Sequence, residues 1–207
     1  MRQQTCSDLV YLELGKGSAK AEIKRRQLAF LKGKQLMPEF EYSLLGEAIR
    51  KAKQCRSQMG KYIMELEILQ VDPVAQELQT CQQRVKDSGS SRRLIYQEIN
   101  PTLEEHEVYK ANVPEHHRVA FSRLRLSSHR LKCETGRWSR LPVEQRLCSC
   151  GVIQTESHVL IECPLTEEIR SEFSTLNFNG LTRLMQSKDL QKMCLYISKA
   201  LKIYEST

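Results

Sequence analysis

Hydrophobic residues in the first half of the chain recur every three or four positions, and this spacing predicts amphipathic α-helices. One stripe follows Pro38, a second ends at Asp72-Pro73, and a third follows that turn. The apolar positions of the three stripes are Phe40, Leu44, Leu45, Ala48, Ile49 and Ala52; Met59, Ile63, Leu66 and Leu69; and Val74, Leu78, Cys81 and Val85. Stripes of this kind predict a helix-packing core and not a cofactor site. Cys55 and Cys81 are then expected to be small core or boundary residues.

The second half predicts further helices, separated by breaks. Ser and Gly residues over 87–91 predict a linker or hinge, and a domain boundary is expected near 112–114. Three apolar stripes follow: Phe121, Leu124, Ser128 and Leu131, for a helix over roughly 115–133; Leu165, Ile169, Phe173 and Leu176; and Leu190, Met193, Cys194, Ile197 and Leu201. The predicted fold is mainly α, with a bundle-like helical region over 1–112. The region 113–207 is expected to hold a basic helix, C-terminal helices and a small β-hairpin around Leu147 to Ile153.

Composition narrows the class of protein. The 207 residues are 40% hydrophobic and 28% charged, as in a soluble globular protein. No apolar run approaches the roughly 20 residues of a membrane span, and the first residues lack a signal-peptide pattern. We therefore expect an intracellular protein with no membrane partner, and the sequence does not choose between nucleus and cytoplasm. Eight scattered cysteines in such a chain favour metal binding over disulfides.

Three cysteines and one histidine lie within sixteen residues, in the pattern C-x-C-x7-H-x4-C. Thiolates and imidazole are the ligands of closed, four-coordinate Zn²⁺ sites, so Cys148, Cys150, His158 and Cys163 are predicted to hold one structural zinc ion. Gly151 would allow a turn with positive φ whose amides point at sulfur. The alternatives are a coincidental thiol cluster and a stray disulfide.

The segment around these ligands reads as a short helix over 155–163, closed by Pro164. His158 and Cys163 are five residues apart, which an ideal α-helix would turn to different faces. Cys163 is therefore expected in a frayed last turn. Cys133 is a conceivable substitute ligand, and the remaining conceivable ligands are His116, His117 and His129.

A basic segment precedes the cysteines. Glu134 is its one acid, and its predicted nucleic-acid contacts are Arg118, Arg123, Arg125, Arg130, Lys132, Arg137, Trp138 and Arg140. Guanidinium groups match phosphate oxygens, and an indole can stack on an unpaired base. The net charge of +7 is compatible with a polyanionic partner. The alternative is a solvated basic face with Trp138 anchoring the hairpin to the helical core.

Several of these stretches resemble the tail of LINE-type (non-LTR) retrotransposon reverse transcriptases, where a zinc-binding segment follows the polymerase. The stretches are 121–129, 134–138, 146–151 and 155–164, and the pieces 9–15 and 23–28 resemble the region just after the polymerase. The resemblance implies a CCHC zinc knuckle that holds RNA or DNA, single-stranded or structured, near a polymerase supplied in trans. The family spaces its first two cysteines more widely than Cys148 and Cys150.

Catalysis is not expected. The four aspartates, Asp8, Asp72, Asp87 and Asp189, lie far apart and form no paired motif, whereas two-metal phosphoryl transfer needs clustered carboxylates. The leading hypothesis is a non-catalytic, zinc-stabilised nucleic-acid-binding fragment. The alternatives are a helical protein-interaction module with a purely structural zinc ion, and a decayed element remnant with no cellular role.

Overall fold

A computed structural model of the protein describes residues 6–205, and over these residues the protein is mainly helical. The α-helices are α1 (Ser7–Leu14), α2 (Ala19–Gln35), α3 (Leu44–Gln54), α4 (Gln58–Ile68), α5 (Pro73–Lys86), α6 (Ser91–Ile99), α7 (Glu115–Arg125), α8 (Lys132–Trp138), α9 (Glu167–Glu172), α10 (Leu181–Met185) and α11 (Leu190–Glu205). A π-helical turn covers His158–Glu162, and short 3₁₀ turns cover Phe40–Tyr42, Glu107–Tyr109, Val143–Gln145 and Pro164–Thr166. No described helix is long and apolar enough to cross a lipid bilayer.

The chain divides into two compact units. Over the described residues, the smaller unit spans 15–83, and the larger unit combines the segments 6–14 and 84–205. The predicted boundary at 112–114 therefore falls inside the larger unit. Contacts between residues distant in sequence explain this difference, since the N-terminal helix α1 belongs with the second half of the chain, which no local composition change can indicate.

The smaller unit is built from α2, α3, α4 and the first turns of α5. Its buried core is Leu28, Leu31, Ile49, Ile63 and Leu66. Helices α3 and α4 pack closely at Gly60, where a Cβ atom would lie 2.0 Å from the Ala52 carbonyl oxygen. The predicted stripes form these helices, but Cys55 is exposed at the end of α3, so the expectation of a buried or boundary position is wrong for that residue.

The larger unit has its core where α7 packs along α11 and α6 packs against α10. Phe121 and Leu124 of α7 are buried against the apolar face of α11, which includes Met193, Cys194 and Ile197. Cys194 is fully buried, as predicted. This core supports the segment that contains the predicted metal ligands, because α11 also contacts the π-helical turn.

One local expectation for this unit is wrong, and a second is met only in part. The helix predicted over 115–133 ends at Arg125, and a second helix, α8, begins at Lys132; the break follows from Ser127, whose φ of 47° is left-handed. The predicted β-hairpin is reduced to a single antiparallel bridge between Leu147 and Ile153, and the described residues contain no strand. The Cys148 N–H donates to the Val152 carbonyl oxygen and the Gln154 N–H donates to the Arg146 carbonyl oxygen, so the chain turns back on itself at this bridge.

Candidate metal centre and basic surface

The four predicted zinc ligands come together. The ligand atoms of Cys148, Cys150, His158 and Cys163 all lie within 4.8 Å of one another. Sγ of Cys148 is 3.7 Å from Sγ of Cys163, which is 3.8 Å from Sγ of Cys150, and Cys150 Sγ is 3.2 Å from Nε2 of His158. A zinc–sulfur bond of about 2.3 Å gives a tetrahedral sulfur–sulfur edge of about 3.8 Å. The cluster therefore has the size of a tetrahedral metal site.

The disulfide alternative does not fit this geometry. A disulfide needs sulfur atoms about 2.05 Å apart, and these sulfurs are much further from one another. All eight cysteines are free. The donor set of three thiols and one imidazole suits Zn²⁺, and four protein ligands would leave no open coordination position. The site can thus hold a structural metal ion.

The first two ligands lie in a tight turn. Gly151 has φ 89°, as predicted, and its N–H donates to the carbonyl oxygen of Cys148, while the Cys148 N–H donates to Val152. Burial raises the pKa of Cys148, but hydrogen bonds outweigh it, first from the Cys150 backbone N–H and then from His158, and lower this pKa to about 6. Cys148 is thereby favoured as a thiolate, the form that binds metal.

The other two ligands are aligned by the π-helical turn. In this turn the Cys163 N–H donates to the His158 carbonyl oxygen, an i to i+5 bond. The wider turn brings residues five apart onto one side, so Cys163 reaches the cluster without the frayed end that the sequence suggested. Carbonyl groups of the turn are capped from outside: Thr166 donates to Val159, and Tyr196 donates to Leu160.

A buried network anchors this turn to the loop before α8. Leu131 N–H donates to Nδ1 of His129, so the His129 proton lies on Nε2 and is donated to Glu156 at 3.0 Å. Glu156 also contacts the Cys133 thiol, whose pKa is raised by burial and then by Glu156. These three residues are close enough to hold a metal ion. However, a backbone donor at Nδ1 excludes the tautomer that metal binding through Nε2 requires.

The turn that carries Cys148 is anchored to α8 as well. Arg146 donates to the carbonyl oxygens of Cys133 and Leu141, and it crosses α8 at Gly136, where a Cβ atom would lie 2.7 Å from Arg146. Gln154 accepts the Lys132 N–H through its side chain. Sequence reasoning did not identify the roles of Glu156, Gln154 and Gly136. Their only signal is a polar or small residue type at positions that fold into the core.

The predicted spare ligands take no part in the CCHC cluster. Cys133 and His129 belong to the anchoring network, and His116 and His117 lie at the start of α7 outside both groups of metal-ligand side chains found in the described residues. Tyr204 of α11 is a neighbour that the sequence did not indicate. Its hydroxyl is buried, and burial, followed by the adjacent Cys163 and Cys148 thiols, raises the pKa of Tyr204.

The basic residues divide into two groups. Arg125 is fully buried and donates to both carboxylate oxygens of Glu13, at 2.6 and 3.0 Å. Its prediction as a nucleic-acid contact is wrong, because its charge is neutralised inside the core by a residue 112 positions earlier. Arg137 pairs with the buried Glu134, and Lys132 donates to the Leu147 carbonyl. These two side chains are engaged within the protein.

Four arginines stay free of ion pairs within the described part of the chain: Arg118, Arg123, Arg130 and Arg140. Arg118 is half-buried and the other three are exposed. Trp138, at the end of α8, is half-buried. The four arginines are therefore the predicted contacts whose charge is available to an anionic ligand, and contact with nucleic acid stays a prediction for them and for Trp138.

These features stand without support from known relatives. No protein-family model, characterised protein or solved structure matches this chain. The resemblance to the tail of LINE-type reverse transcriptases consequently rests on the sequence motifs alone. What the structure shows is a mainly helical protein with a CCHC cluster of the size and composition of a metal site.

Proposed function

We propose that this protein is a non-catalytic, zinc-stabilised nucleic-acid-binding protein. The observation that carries the proposal is the CCHC cluster, which shares one compact unit with four arginines that no carboxylate of the described residues neutralises. By resemblance, the protein is the tail of a retrotransposon reverse transcriptase and acts beside a polymerase supplied in trans. The ligand is RNA or DNA that is single-stranded or structured.

The zinc ion has a structural role in this proposal. The segment from Arg146 to Cys163 contains one β-bridge and one π-helical turn, so its backbone hydrogen bonds join near neighbours and form neither a strand ladder nor a long helix. A metal bound by Cys148, Cys150, His158 and Cys163 would close this segment into one unit, and its binding free energy would become folding free energy. The ordered segment would in turn hold α8 and the loop before it, through the anchoring network of Glu156.

Elemental analysis of purified protein tests the metal. About one zinc ion per chain is expected, and Cys163→Ser should lose most of it because a closed site needs all four ligands. The matched control is Cys55→Ser, because Cys55 is exposed and far from the cluster in sequence. If Cys163→Ser keeps its zinc and its thermal midpoint, the assignment of ligands is wrong.

Nucleic-acid binding is tested through its dependence on salt. Arginines that contact phosphates release counterions, so the logarithm of the affinity for single-stranded RNA or DNA should fall linearly with the logarithm of salt concentration. Replacing Arg118, Arg123 and Arg130 with Gln should flatten this slope by roughly 2–3. Arg183→Gln, a charge change on α10, should leave most of the slope in place. A slope that the triple variant does not change would refute the proposed surface.

One observation favours the second candidate, a helical protein-interaction module. The smaller unit has an apolar groove of about 470 Å³ between α2, α3 and α4, lined by side chains that include the exposed Phe30, Leu45 and Met59. Exposed apolar surfaces of this kind commonly bind a partner helix. The same salt titration separates the two functions. A chain that binds zinc, but binds neither RNA nor DNA at low salt, would leave the groove as the functional surface.

A further inference from the structure

A cavity of about 350 Å³ lies between α1 and α7 in the larger unit. Its walls are apolar and come from both helices and from the residue after α7: Val10 and Leu14, Val119, and Leu126. The volume is at the lower end of the range of roughly 300–1,000 Å³ for small-ligand pockets, which suits a flat ring system with a short attached group. The function described so far does not use this cavity.

The polar floor of the cavity is already satisfied. Glu13 lies there, and its carboxylate accepts hydrogen bonds from Arg125, Tyr96 and Tyr109. The Tyr109 hydroxyl also hydrogen-bonds with Ser122 at 2.9 Å. Because the carboxylate is neutralised by Arg125, the floor does not repel an anionic ligand as a bare carboxylate would. The walls and floor together therefore accept an uncharged, mostly apolar group.

The rim of the cavity is cationic. Arg118 and Arg123 line it from α7, and neither has an ion-pair partner among the described residues. Glu115 is the one acid at the rim, and it forms no ion pair with either arginine. Two free guanidinium groups at the mouth of an apolar cavity match a ligand that has a flat apolar body and phosphate groups beside it.

We infer that this cavity binds an unpaired nucleotide of a single strand, with the base inserted between α1 and α7 and its neighbouring phosphates held by Arg118 and Arg123. The inference rests on the proposed nucleic-acid binding and adds a base-binding site to it. A base bound in this way is recognised by its shape and by contact with apolar walls, so tolerance of base identity is expected.

The test compares a 12-nucleotide single strand with an abasic phosphodiester of the same length, using fluorescence anisotropy and zinc-saturated protein. The intact strand should bind on the order of 10-fold more tightly, because only a strand with bases can bury apolar surface in the cavity. Val119→Met adds apolar volume to the cavity wall on α7 without changing charge. This variant should remove the advantage of the intact strand while leaving abasic binding unchanged.

Two further variants address the rim. Arg118→Gln with Arg123→Gln should weaken both strands and reduce the salt slope by roughly 2, whereas Glu115→Gln should strengthen both. Arg183→Gln removes one positive charge outside the cavity, so it is the control for a change of charge alone. Free AMP should bind at least ~100-fold more weakly than the strand, since it lacks the additional phosphate contacts.

The outcomes separate this inference from the function on which it rests. Equal affinity for intact and abasic strands, or an unchanged preference in Val119→Met, would refute the base site while leaving nucleic-acid binding in place. Binding of neither strand would refute the proposed function itself. AMP that binds as tightly as the strand would overturn the assignment to a strand and indicate a site for free nucleotides.

Discussion

The buried pair of Arg125 and Glu13 offers the sharpest test of the structure. Both side chains are fully buried, and the Glu13 carboxylate accepts four hydrogen bonds, two from Arg125 and one each from Tyr96 and Tyr109. Glu13→Gln keeps the shape of the side chain but replaces one oxygen with an NH₂ group. Whichever way the amide lies, this group faces an Arg125 N–H, which cannot accept a hydrogen bond. The charge of Arg125 also loses its partner.

Glu13→Gln is expected to lower the free energy of unfolding by a large amount. Removing one member of a buried ion pair typically destabilises a protein by about 3–5 kcal/mol, because the other charge is left buried and unpaired. For a chain of this size, 1 kcal/mol corresponds to roughly 2–4 °C in the midpoint, so a fall of about 6–20 °C is expected. Urea unfolding of zinc-saturated protein, followed by circular dichroism, measures the free energy directly.

Two control variants show whether the loss of stability comes from the unpaired buried charge. Glu172→Gln removes a surface pair with Lys199 in the same unit, and exposed pairs contribute at most about 1 kcal/mol. The double variant Glu13→Leu with Arg125→Met should recover part of the loss, since an apolar replacement of a buried pair is often near neutral. A cost below about 1 kcal/mol for Glu13→Gln would refute the burial of this pair.

Three further predictions concern single side chains. If zinc binds as proposed, Tyr204→Phe should weaken its retention by about 10-fold or more in a chelator competition, because the buried hydroxyl lies beside the Cys163 and Cys148 thiols and can donate to them. Unchanged retention would exclude that role. An NMR titration should give His106 a pKa below the usual value near 6.5, because burial and then Arg125 lower it. The contribution of His106 to stability is then present above pH 6.5 and decreases as the pH falls. A raised pKa of His106 would contradict the structure. Gly60→Ala should destabilise the smaller unit by more than about 1 kcal/mol, because the added Cβ atom would clash with the backbone of α3. Gly33→Ala has open space around its Cβ position and should stabilise the unit by roughly 0.5–1 kcal/mol. Equal effects of the two variants in thermal unfolding would contradict the packing of α3 against α4.

Local signals determined much of the helical fold. The stripes after Pro38 and Pro73 became α3 and α5, and the stripe from Leu190 became α11, because a period of 3.6 places one apolar face toward a core whatever that core contains. The four residues of the CCHC cluster were also predicted from local sequence, but through ligand type and spacing instead of periodicity. Their chemistry is carried by residue type and short spacing, and a sixteen-residue segment has few ways to bring three thiols and an imidazole together.

Tertiary structure decided what local signals cannot carry. The sequence placed Arg125 in a basic surface, but Glu13 meets it from 112 residues away and removes its charge from solvent. Sequence spacing also predicted that His158 and Cys163 lie on different faces of a helix. The π-helical turn, whose carbonyl groups accept hydrogen bonds from Thr166 and Tyr196, places the two residues on the same side. Each of these outcomes depends on a partner distant in sequence. Hydrophobic periodicity and ligand spacing are local properties, whereas the pairing of a buried charge and the winding of a single turn are set by the residues packed against them.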